Sequence, residues 1–168
     1  MSVVEHKAEA PASIGCMIIT VSDTRSEETD KSGQLIKQYL QEAGHQTVLY
    51  WIVKDERAQI VEAINTGAAS EQVDVILLNG GTGIAARDVT YEAVRELLEK
   101  ELPGFGELFR YLSYAEEIGP AAMLSRAVAG TYRGKAVFSL PGSSGAVRLA
   151  MSRLILPELG HVVRELRK

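Results

Sequence analysis

Two loops in this 168-residue chain gather the residue types that hold anions. The richer one, running on into a helix, reads NGGTGIAARDVT from Asn79 to Thr90. Gly80, Gly81 and Gly83 let the backbone approach a ligand closely and turn N–H groups toward negative charge. Thr82 adds a hydroxyl, and the helix that follows brings its positive N-terminus. Asp88 puts a carboxylate at the same mouth, either as a helix N-cap or as a working acid. The second loop, Leu140-Pro141-Gly142-Ser143-Ser144-Gly145, has a Pro-Gly turn and two hydroxyls. Ser143 and Ser144 either cap the next helix or donate to an anion.

Further acids sit at comparable places. Asp55 follows an apolar run that reads as a strand. It is open to two readings, a cap for the next helix or a partner of Asp88 in holding Mg²⁺, an ion that takes one or two carboxylates together with substrate phosphates and waters. Ser22 and Asp23 end the first strand, and Asp23 is a third candidate carboxylate at that edge.

Two nucleotide signatures do not apply. Gly81-x-Gly83-x-x-Ala86 matches the dinucleotide fingerprint formally, but it follows the third strand and no acidic residue ends a later strand at the required distance. The P-loop needs Gly-Lys-Ser/Thr, and the Gly134-Lys135 pair opens a strand instead. The histidines, His6, His45 and His161, are scattered, so no His/Cys metal spacing is present. Cys16, the only cysteine, lies in an apolar run and reads as a small core residue in a reducing, cytoplasmic setting.

The elements that must position these loops alternate. Ile14–Val21, Thr47–Val53, Val73–Leu78 and Lys135–Leu140 are short apolar runs that predict buried strands. Helical spacing covers Ser32–Ala43, stopped by Gly44, then Glu56–Ala69 and Thr90–Glu99. Gly104–Gly130 predicts at least two helices broken at Gly119-Pro120. A long helix from Ala146 to Leu166 is expected to kink or restart at Pro157. Strands apolar on both faces and alternating with helices predict a three-layer α/β/α domain on a mostly parallel sheet. In such sheets ligands bind at the carboxyl ends of the strands, where all the candidate loops fall. Residues 1–12 read as a flexible tail and residues 13–168 as one domain. The net charge of −4 and pI of about 5.5 argue against a nucleic-acid surface, and no apolar run approaches a membrane span.

These residues, in this order, resemble the MogA/MoaB family of molybdenum-cofactor biosynthesis proteins. The likeness rests on Thr20-Val21-Ser22-Asp23, Asp30-x-Ser32-Gly33, Gly80-Gly81-Thr82-Gly83 with Asp88-Val89-Thr90, Pro103-Gly104-Phe105-Gly106, Leu124-Ser125-Arg126 and Leu140-Pro141-Gly142-Ser143. Glu116-Glu117-Ile118-Gly119 and Arg126-Ala127-Val128-Ala129-Gly130 look closest to the MoaB branch. The resemblance implies a molybdopterin-binding fold and molybdopterin adenylyltransferase activity, in which the terminal phosphate of molybdopterin reacts with Mg-ATP and pyrophosphate leaves. A non-catalytic molybdopterin carrier or scaffold is the alternative. Family carboxylates map onto Asp55 and Asp88 as catalytic and Mg²⁺-binding residues. Some MoaB-branch members depart from that pattern, and this chain keeps both acids. The ligand-binding residues implied are Ser22, Asp23, Gly80, Gly81, Thr82, Gly83, Thr90, Ser125, Pro141, Gly142, Ser143 and Ser144. The family also implies a homotrimer or homohexamer, and a partner in the separate molybdenum-inserting protein of the same pathway. Trp51, Phe105, Phe109, Tyr111 and Tyr114 are candidates for the core or for that interface.

Overall fold

A computed structural model of the chain describes residues 2–168. Its centre is a six-stranded sheet in the order β2-β1-β3-β6-β5-β4. Strands β1 (Gly15–Val21), β2 (Gln46–Val53), β3 (Val75–Asn79) and β6 (Lys135–Leu140) are parallel, while β5 (Val128–Tyr132) and β4 (Lys100–Glu101) close one edge antiparallel. Side chains alternate across a strand, so each strand feeds two cores. On one face Cys16, Ile18, Val75, Leu77, Ala136 and Phe138 pack under α2 (Lys31–Glu42), α5 (Pro103–Leu112), α6 (Ser144–Ala150) and α7 (Leu156–Leu166). On the other, Met17, Ile19, Ile76, Leu78 and Val137 pack under α3 (Arg57–Ala69) and α4 (Thr90–Leu97). The expected three-layer α/β/α arrangement is therefore the one observed. Among the described residues, no helix is long and apolar enough to cross a membrane.

Two departures from the expected elements have physical causes. Val128–Tyr132 is a strand, not the end of a helical stretch. It pairs with β6 through the two-residue turn Arg133-Gly134, both at positive φ (48° and 77°), as a tight hairpin requires. Gly130 in that strand accommodates β4, since a Cβ there would lie 2.2 Å from the Lys100 carbonyl. The expected flexible tail contains a short helix, α1 (Val3–Ala8), closed by a reciprocal capping box between Ser2 and Glu5. Six residues do not hold a helix alone. Ion pairs of Lys7 with Glu158 and of Glu9 with Arg164 tie this region to α7, where Gly160 leaves room for Ala10. The C-terminal helix restarts as expected: a π-helical turn, Met151–Ile155, precedes α7, whose first turn contains Pro157. The break at Gly119 is also present, between a π-helical turn Ser113–Ile118 and a 3₁₀ turn Gly119–Leu124.

The carboxyl ends of the strands are joined by a buried acid. Asp30, 1% exposed, caps α2 by accepting the Gly33 N–H at 3.0 Å. It also accepts the Thr20 hydroxyl from β1 at 2.5 Å and the Tyr50 hydroxyl from β2. Removing it would strand two buried donors, Thr20 Oγ1 and Gly33 N, and the half-buried Tyr50 hydroxyl. Asp30→Ala is therefore expected to cost about 3 kcal/mol or more, read as a lower urea midpoint at unchanged slope.

Candidate functional site

The carboxyl ends of the parallel strands open into a cleft of about 630 Å³. It lies where the chain reverses direction across the sheet, with β2 and β3 on opposite sides of β1. The structure brings Ser22, Asp23, Asp55, Gly80, Gly81, Thr82, Gly83, Asp88, Ser125, Pro141, Gly142 and Ser143 to its walls. It does not bring Thr90 or Ser144 there. Thr90 is fully buried behind the glycine-rich loop, and its hydroxyl has no hydrogen-bond partner among the described residues. Ser144 is the first residue of α6 and is not among the residues lining the cleft.

The glycine-rich loop is polarised. Gly80 and Gly81 take φ of 99° and 68°, conformations that side chains disfavour. A Cβ on Gly81 would lie 2.1 Å from Thr90 Oγ1. The Gly81 carbonyl accepts from Thr90 N at 3.1 Å, and those of Thr82 and Gly83 accept from Arg126. Among the described residues, the N–H groups of Gly81, Thr82 and Gly83 donate to no protein acceptor. The loop thus has its acceptors engaged and its donors available, which suits an anion.

The three acids behave differently. The capping readings of Asp55 and Asp88 fail, because Glu56 and Val89 hold the cap positions of α3 and α4, without side-chain caps. Asp88 accepts the Ala85 N–H at 3.0 Å and so pins the far side of its own loop. Asp55 is partly buried. Burial, then the charges of Asp23 and Asp88, push its carboxyl above the usual range, with Arg87 opposing. Asp23 is held below that range by hydrogen bonds from Arg87, at 2.8 and 2.9 Å, and also accepts the Asp55 N–H at 3.1 Å. Its oxygens are thus committed to joining the loops after β1, β2 and β3. Among the described residues no three His, Cys, Asp or Glu side chains form a ready metal site. Asp55 and Asp88 instead offer hard oxygen donors for an ion completed by phosphate and water.

The other loops add hydroxyls and a cation. Ser143 does cap α6, accepting from Ala146 N at 3.2 Å, while still lining the cleft. Ser22 accepts the N–H groups of Thr24 and Arg25 and shapes the first turn. Ser125 Oγ is buried and, among the described residues, has no hydrogen-bond partner; it lines the cleft together with apolar Ile118 and Leu124. Arg25 was not singled out by sequence. It enters the cleft from the turn after β1 and donates to Ser32 Oγ at 2.6 Å and to the Gly142 carbonyl at 3.1 Å. Its only signal was its place just past the Ser22-Asp23-Thr24 turn. Cys16 lies in the core, its thiol pushed up to about 12 by burial, in keeping with a structural role.

Residues 17–161 match the family model described as a probable molybdopterin binding domain. The chain belongs to that family. Family relatives named molybdenum cofactor biosynthesis protein B include one from Halalkalibacterium halodurans, 61% identical over all of this chain and 99% of its own length. Another, from Bacillus subtilis, is 62% identical over the same shares. A crystal structure of a molybdenum cofactor biosynthesis protein B, 62% identical, superposes with a TM-score of 0.92 over 95% of this chain and 99% of that one. A tungsten cofactor synthesizing protein MoaB from Pyrococcus furiosus, 40% identical, does so at 0.80 over 95% and 100%.

The family's glycine-rich loop yields a direct test. In Gly81→Val the left-handed backbone conformation alone costs about 1–3 kcal/mol. The overlap with Thr90 adds to that, so urea denaturation should show a loss above this range.

Proposed function

We propose that this protein adenylylates the terminal phosphate of molybdopterin with Mg-ATP in molybdenum-cofactor biosynthesis. The observation that carries the reading is the meeting of available N–H donors at Gly81–Gly83 with Asp55 and Asp88 on one cleft. The names of the relatives, molybdenum cofactor biosynthesis protein B, support the pathway.

In this reading a phosphate oxygen of molybdopterin attacks the α-phosphorus of ATP. A new P–O bond forms, the bond from the α-phosphorus to the bridging oxygen breaks, and pyrophosphate leaves with the electron pair. The nucleophile is already anionic, so the protein supplies no strong base. It supplies alignment and charge neutralisation. The glycine-loop N–H groups and Arg25 receive phosphate oxygens. Asp55 and Asp88 would hold Mg²⁺, and the residues fit it: two hard carboxylates line one cleft beside the glycine-loop N–H groups. When bound with ATP, Mg²⁺ held there would supply neutralisation of charge on the α-phosphate and leaving group. Ser125, with its buried free hydroxyl, and the apolar wall of Ile118 and Leu124 would face the ring systems.

A carrier without turnover is favoured by one observation: Asp88 and Asp23 are already engaged by Ala85 N and Arg87. Incubation with molybdopterin and Mg-ATP separates the two. Adenylylated product and pyrophosphate are expected, whereas stabilisation by molybdopterin without pyrophosphate would establish the carrier. Asp88→Asn and Asp55→Asn should each keep ligand binding and lose turnover about a hundredfold or more, the scale of losing one electrostatic contact to a transition state. Near-normal adenylylation by either variant would remove that residue from the catalytic role.

The proposal includes self-association. Phe105 and Phe109 are buried and Trp51 packs against the core, but Tyr111, Tyr114, Leu108 and Met123 are exposed around one end of α5 and the turns after it. Such a surface calls for cover, and a trimer or a hexamer of two trimers provides it. Light scattering should give a multiple of 18.2 kDa, and a clean monomer would overturn this part. The molybdenum-inserting protein of the pathway is the expected recipient of the product.

A further inference from the structure

The direction of the glycine-rich loop depends on a side chain from a distant part of the chain. Arg126 follows Ser125 and precedes β5. Its Nε donates to the carbonyls of Thr82 at 3.3 Å and Gly83 at 3.0 Å. Its Nη2 donates to Gly83 O at 2.6 Å and Asp88 O at 3.1 Å, and Nη1 pairs with Glu92. The Tyr91 ring lies beneath the guanidinium, 5.0 Å from its carbon. Arg126 is not among the residues lining the cleft.

A peptide's N–H points opposite its C=O because the unit is planar and trans. Holding the Thr82 carbonyl therefore turns the Gly83 N–H the other way, and holding Gly81 O through Thr90 N does the same for Thr82. Left free, a loop with glycines at three of four positions samples many orientations. The planar fork of Arg, with five donors in fixed geometry, spans three carbonyls and the Glu92 carboxylate together, one acceptor more than the three donors of a compact ammonium group.

We propose that Arg126 is the positioning residue of the phosphate cradle: its guanidinium engages the carbonyls of Thr82, Gly83 and Asp88 and so presents the loop's N–H groups to phosphate. This rests on the reading above that the loop receives phosphate. It acts through the loop and touches no substrate.

The test is Arg126→Lys, which keeps the charge and removes the fork, with Glu92→Gln as control, since that change leaves the carbonyl contacts in place. Calorimetric titration with Mg-ATP and with inorganic pyrophosphate is compared across the three proteins, along with KM and kcat for adenylylation. Arg126→Lys should bind both probes about tenfold more weakly or worse, with a fall in Tm of a few degrees at most. KM for Mg-ATP should rise with little change in kcat, as expected when binding shared by ground and transition states is lost. Glu92→Gln should match the wild type. Wild-type affinity in Arg126→Lys would overturn the inference, as would an unfolded variant, which would make Arg126 a support of the whole domain. A wild-type protein that binds neither probe would overturn the phosphate reading of the loop itself.

Discussion

A carboxylate kept from water must be surrounded by donors, and the site of this protein is organised around one such group. Asp30 gathers Thr20 from β1, Tyr50 from β2 and the first turn of α2. Ser32 then donates to Asn79 at the end of β3 at 2.8 Å, and Asn79 donates back to Thr20 at 2.9 Å. Arg25, 3.5 Å from Asp30, reaches the Gly142 carbonyl beyond β6. All four parallel strands are thus registered at their carboxyl ends by one connected network, at the points where the cleft loops depart. Burial and the bond to Asp30 push the Tyr50 phenol up, so Tyr50 stays a donor in this network. Gly33 is part of the same constraint, because a Cβ there would lie 2.1 Å from Asp30 Oδ2.

What could be read from the sequence follows from how local each cause is. Strand and helix positions came from apolar periodicity, a property of neighbouring residues, and β6 was placed at its observed bounds. Glycine-rich and Pro-Gly loops at strand ends announced the cleft, because an anion cradle and a tight turn both demand those residues locally. β5 did not read as a strand: Ala129 and Gly130 have low strand preference, and Gly130 is there for the approach of β4 from a segment far away in sequence. Arg25 escaped for the same reason, as did the role of Arg126, which the family motifs contain without marking its contacts. Their partners lie 117 and 38 to 44 residues away, and nothing in a local pattern marks an arginine as a clamp. Thr90 was drawn into the site by its motif, yet its hydroxyl backs the Gly81 turn, a role that only the fold distinguishes from ligand contact.

The charge pattern of the cleft then has a physical logic. A chain of net charge −4 that places Asp23, Asp55 and Asp88 on one cleft would repel phosphates if side chains alone set the field. Each acid meets that repulsion in a different way. Asp23 is neutralised by Arg87, and that pair joins the loop after β1 to the glycine-rich loop. Asp88 takes the Ala85 N–H and keeps its loop folded. Asp55 is partly buried, and burial together with the neighbouring charges of Asp23 and Asp88 pushes its carboxyl upward. In the proposed reaction a divalent cation would relieve Asp55 and attract phosphate in the same event.

Backbone donors make this arrangement workable. Fixed N–H dipoles attract an anion without adding a mobile cation that the three acids would capture for themselves, as Asp23 has captured Arg87. That solution transfers the burden to loop conformation: dipoles help only if they are held in one orientation before the ligand arrives. The left-handed glycines supply the turn, Thr90 N and Arg126 hold its carbonyls, and the Asp30 network holds the strand ends from which it springs. Binding strength in this cleft is therefore a property of groups that mostly lie behind it, and the residues facing a ligand are the last link of that chain.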